Sequence, residues 1–384
     1  MNGNSKQKIL ILNHEYPPVG GGGGKITQNL CEGLANKGYD IRVLTSHHKD
    51  LPLHEKNGII IYRLPVHRKQ IFRASFIDML WFVIKSTRKG LGIIRSWKPD
   101  LIHAHFAVPA GAAAYFLSKL TGIPYVLTVH GGDVPGAAPE KTAGWFRLVY
   151  PFSKLIWKNA VRVIAVSEYV KELAEKKYAV PIQVIGNGIN LKQFTPKKIE
   201  SHAVPRILFV GRLSPEKNPL AVVHSLSALL GMPWECIVLG DGIMMSELKA
   251  LIKSKKMQDR ILLKGWVTQL DVLKWMGTSD ILFMPSLMEG LPISGLQGLA
   301  CGLALVLSKT GGCIHLVKEG RNGCLVEPGD IVGYTKALQH LLSDPEMLLR
   351  FRKYSVRMSA QFSINAVVDQ YDKVIQSLLV EEHS

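Results

Sequence analysis

The stretch from Ile281 to Gly302, ILFMPSLMEGLPISGLQGLACG, decides the fold. It opens on an uninterrupted apolar run, as in a strand buried on both faces. Glu289 and Gly290 follow in a turn, and Pro292 stands where proline opens a helix. That helix carries a polar residue, Gln297, inside an apolar run. A strand feeding a helix in this way belongs to a parallel α/β sheet, which presents ligands at the carboxyl ends of its strands. The free N–H groups of a helix's first turn attract anions. Upstream, the apolar run RILFV leads into GRLSPEKNP, which sets Arg212 and Lys217 past another strand end, in a loop restrained by Pro215, Asn218 and Pro219. An arginine fork, a compact ammonium and a helix terminus on one sheet edge fit phosphates. The ligand expected from these residues is a nucleoside diphosphate carrying a hydroxyl-rich group.

The same alternation runs through the rest of the chain. The strand-like runs KILIL, RVLT, LIHAHF, YVLTV and VIAVS alternate with helical patterns through residue 167, and the alternation restarts at RILFV. Two parallel α/β sheets in tandem are expected, with residues 1–195 in the first domain, 196–361 in the second and 362–384 as a terminal helix. A chain of 384 residues with 47% apolar content can bury two such cores. Its five cysteines, Cys31, Cys236, Cys301, Cys313 and Cys324, have no metal-type spacing, and no signal peptide precedes Lys8 to Leu12, which suits a reducing cytoplasm. The most apolar window, FIDMLWFVI at 76–84, contains Asp78 and falls short of the roughly 20 residues a membrane span needs, so no transmembrane anchor is expected.

Charge is unevenly distributed. Of the net +17, residues 1–195 hold 26 Lys and Arg against 12 Asp and Glu, whereas residues 196–384 hold 21 against 18. Residues 68–98 concentrate Arg68, Lys69, Arg73, Lys85, Arg88, Lys89, Arg95 and Lys98 against a single acid, Asp78, interleaved with Ile71, Phe72, Phe76, Trp81, Phe82 and Ile84. Such a segment either docks on an anionic membrane surface or packs its apolar face on the sheet while the cations solvate the other side. Nucleic acid is not the expected partner, since no recognition helix, stacking platform or zinc module accompanies the charge.

Between the first strand and the first helix, expected near Lys25, lies HEYPPVGGGGG, a loop whose glycines let backbone approach a ligand closely. It is not a phosphate-binding Walker loop, because Val19 and Ile26 stand where glycine and a hydroxyl residue are required. A dinucleotide fingerprint also fails: the glycines come late, and the second strand ends in Thr45 and Ser46 rather than an acid. TVHGGD puts His130 and Asp133 just past a buried strand, where an α/β sheet offers side chains to a ligand. His103 and His105 alternate on a strand and share a face; without a third ligand for zinc they read as structural.

Taken in order, EYPPVGGGGGKITQNLCEGLANKGYDIRVLT, DLIHAHF, TVHGGD, VIAVSEYV, GRLSPEKNP, LGDG at 239–242, EGLPISGLQGLACG, KTGG and EGRNGCLVEPGD resemble glycosyltransferase family 4, the retaining, sugar-nucleotide-dependent enzymes of the GT-B fold. The resemblance covers nearly the whole chain. It implies two Rossmann-like β/α/β domains facing each other across a cleft, with the donor held mainly by residues 206–330 and an acceptor by the basic first domain. Closure about a hinge would bring His130 to the donor. By the same resemblance Gly21 and Gly22 match the paired glycines at the donor phosphate and acceptor, and His130 lies against the transferred sugar with Asp133 close by. Glu289 matches the first glutamate of an E-x7-E signature that contacts sugar hydroxyls. Gly211, Gly290, Leu291, Pro292, Ile293, Gly311 and Gly312 fall in donor-binding segments, and the terminal helix crosses back to the first domain.

Three departures stand out. Gln297 occupies the second signature position, where a glutamate would accept from the ribose diol; glutamine keeps one acceptor, adds an N–H2 donor and drops the charge. Should Gln297 lie on the helix surface, it would report nothing. GNGIN at 186–190 replaces P-N-G-V-D, and His315 replaces a glutamate. With no D-x-D pair in the chain, Arg212 and Lys217 take the place of a divalent metal, and neither metal nor cofactor is expected. Breaking the bond to a nucleoside diphosphate develops negative charge on the leaving phosphates, so the catalytic set expected is His130, Arg212, Lys217 and Glu289. The expected activity is transfer of a hexose-type sugar from a UDP-, GDP- or ADP-linked donor to a glycan, lipid-linked or glycolipid acceptor, in the cytoplasm or on the inner face of the membrane. Rival readings are a noncatalytic nucleotide-sugar-binding protein and a GT-B epimerase or sugar-phosphate synthase.

Overall fold

The computed structural model describes residues 6–49, 51–56, 58–71, 74–135, 146–194, 196, 198–200 and 202–381. The chain divides into two compact units, Met1–Gly188 with Ile364–Ser384, and Ile189–Ser363. The first unit stops at Gly188, short of residue 195, because Ile189 and Phe194 are buried in the second unit's core with Leu208, Ile237 and Leu299.

Among the described residues the first unit holds an eight-stranded sheet: β1 (Lys8–Leu12), β2 (Asp40–Ser46), β3 (His54–Lys56), β4 (Ile60–Leu64), β5 (Leu101–His105), β6 (Tyr125–Val129), β7 (Arg162–Ala165) and β8 (Ile182–Val184). Its order is β3-β4-β2-β1-β5-β6-β7-β8, parallel throughout except for β3, a short edge strand antiparallel to β4. The order turns about β1, with β2 on one side and β5 on the other, so the loops leaving β1 and β5 are neighbours at the carboxyl edge. Both faces of the sheet are covered, which is why β1 and β6 read as near-continuous apolar runs and why every residue of β5, His103 and His105 included, is buried. On one face Phe82, Ile93, Ile94 and Trp97 of the Phe76–Trp97 helix are buried. On the other, Leu30 and Leu34 of the Gly22–Asn36 helix pack with Val367, Tyr371 and Ile375 of the terminal Ile364–Glu381 helix.

The second unit repeats the plan with six strands among the described residues: β9 (Arg206–Val210), β10 (Glu235–Leu239), β11 (Ile261–Gly265), β12 (Ile281–Met284), β13 (Ala304–Ser308) and β14 (Gly323–Val326). All neighbours are parallel, in the order β11-β10-β9-β12-β13-β14. Here the order turns between β9 and β12. The loop GRLSPEKNP leaves the first of these strands and SLMEGLP the second, so the topology alone brings their side chains together. At the opposite edge, buried Asp280 accepts from His202 Nδ1 at 2.7 Å and the Arg206 N–H at 2.8 Å and pairs with Arg352, tying the Pro345–Ser359 helix to the sheet. All five cysteines are free, four of them buried. No helix among the described residues is long and apolar enough to cross a membrane.

Candidate functional site

The first unit builds its carboxyl edge around the glycine run. The helix starts at Gly22 rather than near Lys25, so Gly22, Gly23 and Gly24 form its opening turn and the loop is shorter than the sequence suggests. Packing accounts for most of these glycines. A Cβ on Gly20, whose φ is +96°, would strike the Glu15 side chain; one on Gly23 would meet the Phe106 ring at 2.5 Å, and one on Gly24 the Glu15 carbonyl at 2.9 Å. Gly21 differs, with open space where its Cβ would stand and an N–H that donates to Glu15 Oε2 at 3.2 Å. Two buried arginines fix the approach: Arg63 donates to the carbonyls of Tyr16 at 3.3 Å and Pro17 at 2.7 Å, and Arg68 to that of His14 at 3.1 Å. Arg68 is therefore a structural cation of this loop and not part of a basic surface.

His130 lies at the end of β6, its ring centroid 4.5 Å from Phe106, whose φ of +73° puts a non-glycine residue in the left-handed region. Its Nε2 is 3.1 Å from His105 Nδ1. Behind it, His103 Nε2 meets Thr128 Oγ1 at 2.8 Å, and that hydroxyl meets Tyr371 of the terminal helix at 3.2 Å. His103 and His105, read as structural from the sequence, thus run in a buried line to the candidate His130. Burial holds all three rings neutral: it lowers His130 to about 4 against an opposing pull from Glu15, His103 to about 3, and His105 well below its ordinary value. Since both rings are neutral, one nitrogen of the His105–His130 contact donates and the other accepts. Asp133 accepts from the His130 and Gly131 N–H groups at 3.0 and 3.1 Å through one oxygen, and from Ala107 at 2.7 Å through the other. It clamps the loops after β5 and β6, and burial raises its carboxyl despite those bonds.

In the second unit Lys217 Nζ donates to Glu289 Oε1 at 2.6 Å, and Ser286 Oγ donates to the same oxygen at 2.8 Å. The sequence reading assigned Lys217 to phosphate and Glu289 to hydroxyls as separate contacts; the fold makes them one cluster. An ammonium has three donors, so two remain to Lys217 beyond this pair. The Glu289 oxygen not used here, Oε2, can accept from a hydroxyl. Arg212 follows β9 and Gly211 in the same loop, which is braced from below: Gly211 and Leu213 N–H groups donate to Leu239 and Asp241 carbonyls, each at 3.0 Å. The glycines of LGDG exist for this contact, since a Cβ on Gly240 or Gly242 would strike the carbonyl of Gly211 or Leu213. Gly312 donates to the Gly290 carbonyl at 2.5 Å, locking Gly311 and Gly312 against the Glu289 turn.

Pro292 precedes the Ile293–Ala300 helix, whose first turn carries no side-chain cap, with Leu291 buried before it. Gln297 is buried inside this helix, not on its surface, and donates to Gln269 Oε1 at 3.3 Å. Arg212, Lys217, Glu289 and Gln297 stand out in the sequence, whereas Ser286, Glu15, Arg63 and Gln269 do not. Ser286, three residues ahead of Glu289 in the same turn, was the most discoverable of these. Among the described residues no group of three or more His, Cys, Asp or Glu side chains could hold a metal ion.

Known structures share this architecture. Sucrose-phosphate synthase from Thermosynechococcus elongatus superposes with a TM-score of 0.87 at 19% identity, covering 98% of this chain and all of that one. An Anabaena protein, HepE, in complex with UDP-glucose gives 0.77 at 18% identity, over 96% of this chain and 99% of that one. The fold is accordingly GT-B, the architecture of a large class of glycosyltransferases. In sequence, the UDP-Gal:alpha-D-GlcNAc-diphosphoundecaprenol alpha-1,3-galactosyltransferase of Escherichia coli is 25% identical over 98% of each chain. The family description Glycosyltransferase Family 4 matches residues 20–193 and Glycosyl transferases group 1 matches residues 164–358, so the chain belongs to the group 1 glycosyltransferases.

Proposed function

We propose that this glycosyltransferase moves a hexose-type sugar, with retention and without a metal ion, from a nucleoside-diphosphate donor to a glycan, lipid-linked or glycolipid acceptor in cell-envelope polysaccharide assembly, on the cytoplasmic face of a membrane. The observation that carries the reading is the Lys217–Glu289–Ser286 cluster, whose lysine shares its loop with Arg212, at the turning point of the second sheet. Arg212 and the free donors of Lys217 take the diphosphate, backbone of Gly211, Gly290, Ile293, Gly311 and Gly312 lines it, and Glu289 takes sugar hydroxyls. Gln297 takes one ribose hydroxyl as an acceptor. In the first unit, Gly21 and Gly22 let the donor phosphate and acceptor approach backbone, and His130, held by His105 and Asp133, faces the transferred sugar.

In the reaction the anomeric C–O bond to phosphate breaks, a C–O bond to the acceptor forms on the same face, and the acceptor's proton passes to the departing phosphate. The two cations stabilise that phosphate as its charge develops. A UDP-linked donor is favoured by two relatives, one solved with UDP-glucose and one named for UDP-Gal and a diphosphoundecaprenol acceptor. A thermal-shift screen of UDP-, GDP- and ADP-sugars tests the donor, since stabilisation grows with ligand concentration over Kd. The expected result is one nucleotide class raising Tm, followed by transfer that gives an anomeric proton coupling matching the donor's. Binding without hydrolysis or transfer to any acceptor would overturn the catalytic reading in favour of a sensor, and an inverted coupling would overturn retention.

A further inference from the structure

The helix Phe76–Trp97 carries a second apolar face that is exposed. A capping box fixes its start: Ser75 Oγ accepts from the Asp78 N–H at 3.2 Å, and Asp78 accepts from the Ser75 N–H at 2.7 Å. Phe82, Ile93, Ile94 and Trp97 then lie in the core. On the other side Phe76, Ile77, Leu80, Trp81 and Ile84 are between 41 and 63% exposed. Their spacing of three and four residues makes one stripe, about 12 Å long at the helical rise. Farther along the same stripe stand Arg88 and Arg95, both exposed. Lys85 reaches back over the Trp81 ring at 5.3 Å, and Lys89 lies over Tyr62 at 5.1 Å. The sequence left two outcomes for this segment, packing or docking; the structure divides the residues between two faces. Phe72 and Arg73, which the charge reading included, lie outside the described residues.

An apolar stripe continuing into arginines on one helix face matches a bilayer interface, with acyl boundary and phosphate layer in sequence. The other occupants fit less well. A second copy placed stripe to stripe would confront the basic residues of both partners in a chain of net charge +17. A nucleic acid would meet the cations but leave Ile77, Leu80 and Ile84 in water, since aliphatic side chains offer bases no stacking surface.

We propose that the opening turns of this helix insert, exposed face down, into the interfacial layer of an anionic bilayer, with Arg88 and Arg95 against lipid phosphates. The transferase reading enters only in the consequence: a membrane-borne acceptor would then be presented to the first unit. Sedimentation of the full chain with vesicles of equimolar phosphatidylglycerol and phosphatidylcholine, and with phosphatidylcholine alone, tests the surface without any donor or acceptor. Binding to the anionic vesicles is expected to exceed binding to the neutral ones. L80E/W81E should lower it more than about tenfold, and R88Q/R95Q about fivefold for each arginine removed. Because these side chains are exposed, the variants should keep the parent's circular dichroism and its nucleotide-induced thermal shift. Unchanged sedimentation of a folded L80E/W81E chain would overturn the proposal. So would absence of binding to either vesicle, or lipid-free dimerisation abolished by the same substitutions. A failed nucleotide screen with intact vesicle binding would instead count against the transferase reading alone.

Discussion

At the scale of the residue, the Lys217–Glu289 pair separates what chemistry requires from what folding requires. Glu289 is buried and Lys217 only partly so, so removing the lysine leaves a buried carboxylate that still accepts from the Ser286 hydroxyl. Lys217→Ala should therefore cost about 1–3 kcal/mol of stability as well as activity. Glu289→Gln keeps the shape and removes the charge; stability should change by less than about 1 kcal/mol while kcat/KM falls roughly 100-fold or more. The double variant should recover most of the stability lost by Lys217→Ala and none of the activity. Urea melts alongside initial rates decide this, and a double variant as active as either parent would remove the pair from the mechanism. Lys217 and Glu289 were each legible in the sequence because strand ends in a parallel sheet are marked by where apolar runs stop. Their contact was not, because it depends on which two strands are neighbours at the turning point of the sheet.

Elements explain the glycines, and here sequence and structure part. A run such as Gly20 to Gly24 looks uniform, yet Gly20, Gly23 and Gly24 answer to Glu15 and Phe106 while Gly21 answers to nothing inside the protein. LGDG in the second unit is one of the motifs that carry the family resemblance, and its glycines serve as a brace under Gly211 and Leu213. Gly240→Ala should thus destabilise the second unit by about 1–3 kcal/mol, since it forces a Cβ against a carbonyl at a φ of +143°. Gly21→Ala should leave Tm within about 1 °C of the parent and weaken donor or acceptor binding, since a side chain there meets only open space. Calorimetry with and without nucleotide distinguishes the two. Strand identities were readable because buried parallel strands are apolar on both faces; β3 was not, because HEK at 54–56 is a charged edge with no such pattern. For the Phe76–Trp97 helix the sequence left packing and docking both open, since periodicity cannot tell which of two apolar faces meets the sheet.

For the whole molecule, the two units differ in how they store titratable groups, and this makes acid a selective probe. His14, His103, His105 and His130 all belong to the first unit; burial lowers His14 and His130 to about 4, His103 to about 3 and His105 further still. A histidine whose folded pKa lies below its unfolded value binds its proton more readily when unfolded. The stability it contributes is complete above about pH 6.5 and is lost as pH falls toward the folded value, at about 1.4 kcal/mol per pH unit for each group. Glu15, which pulls His14 and His130 upward, narrows the window for those two. Asp133, raised by burial, has the opposite sign and offsets part of the loss, because its protonated form is the one the folded state favours. The described histidines of the second unit, His202, His224, His315 and His340, are all exposed, so that unit should keep its protection where the first loses it. Hydrogen exchange read by mass spectrometry at about pH 7.5 and about pH 5, corrected for intrinsic rates, should show β1, β5 and β6 opening far more readily at the lower pH while β9, β12 and β13 change little. His103→Asn and His105→Asn together, which replace two of the titrating rings by neutral amides, should flatten that pH dependence. Equal loss of protection in both sheets, or an unaltered slope in the double variant, would show that the buried histidines do not set the acid limit of the first unit.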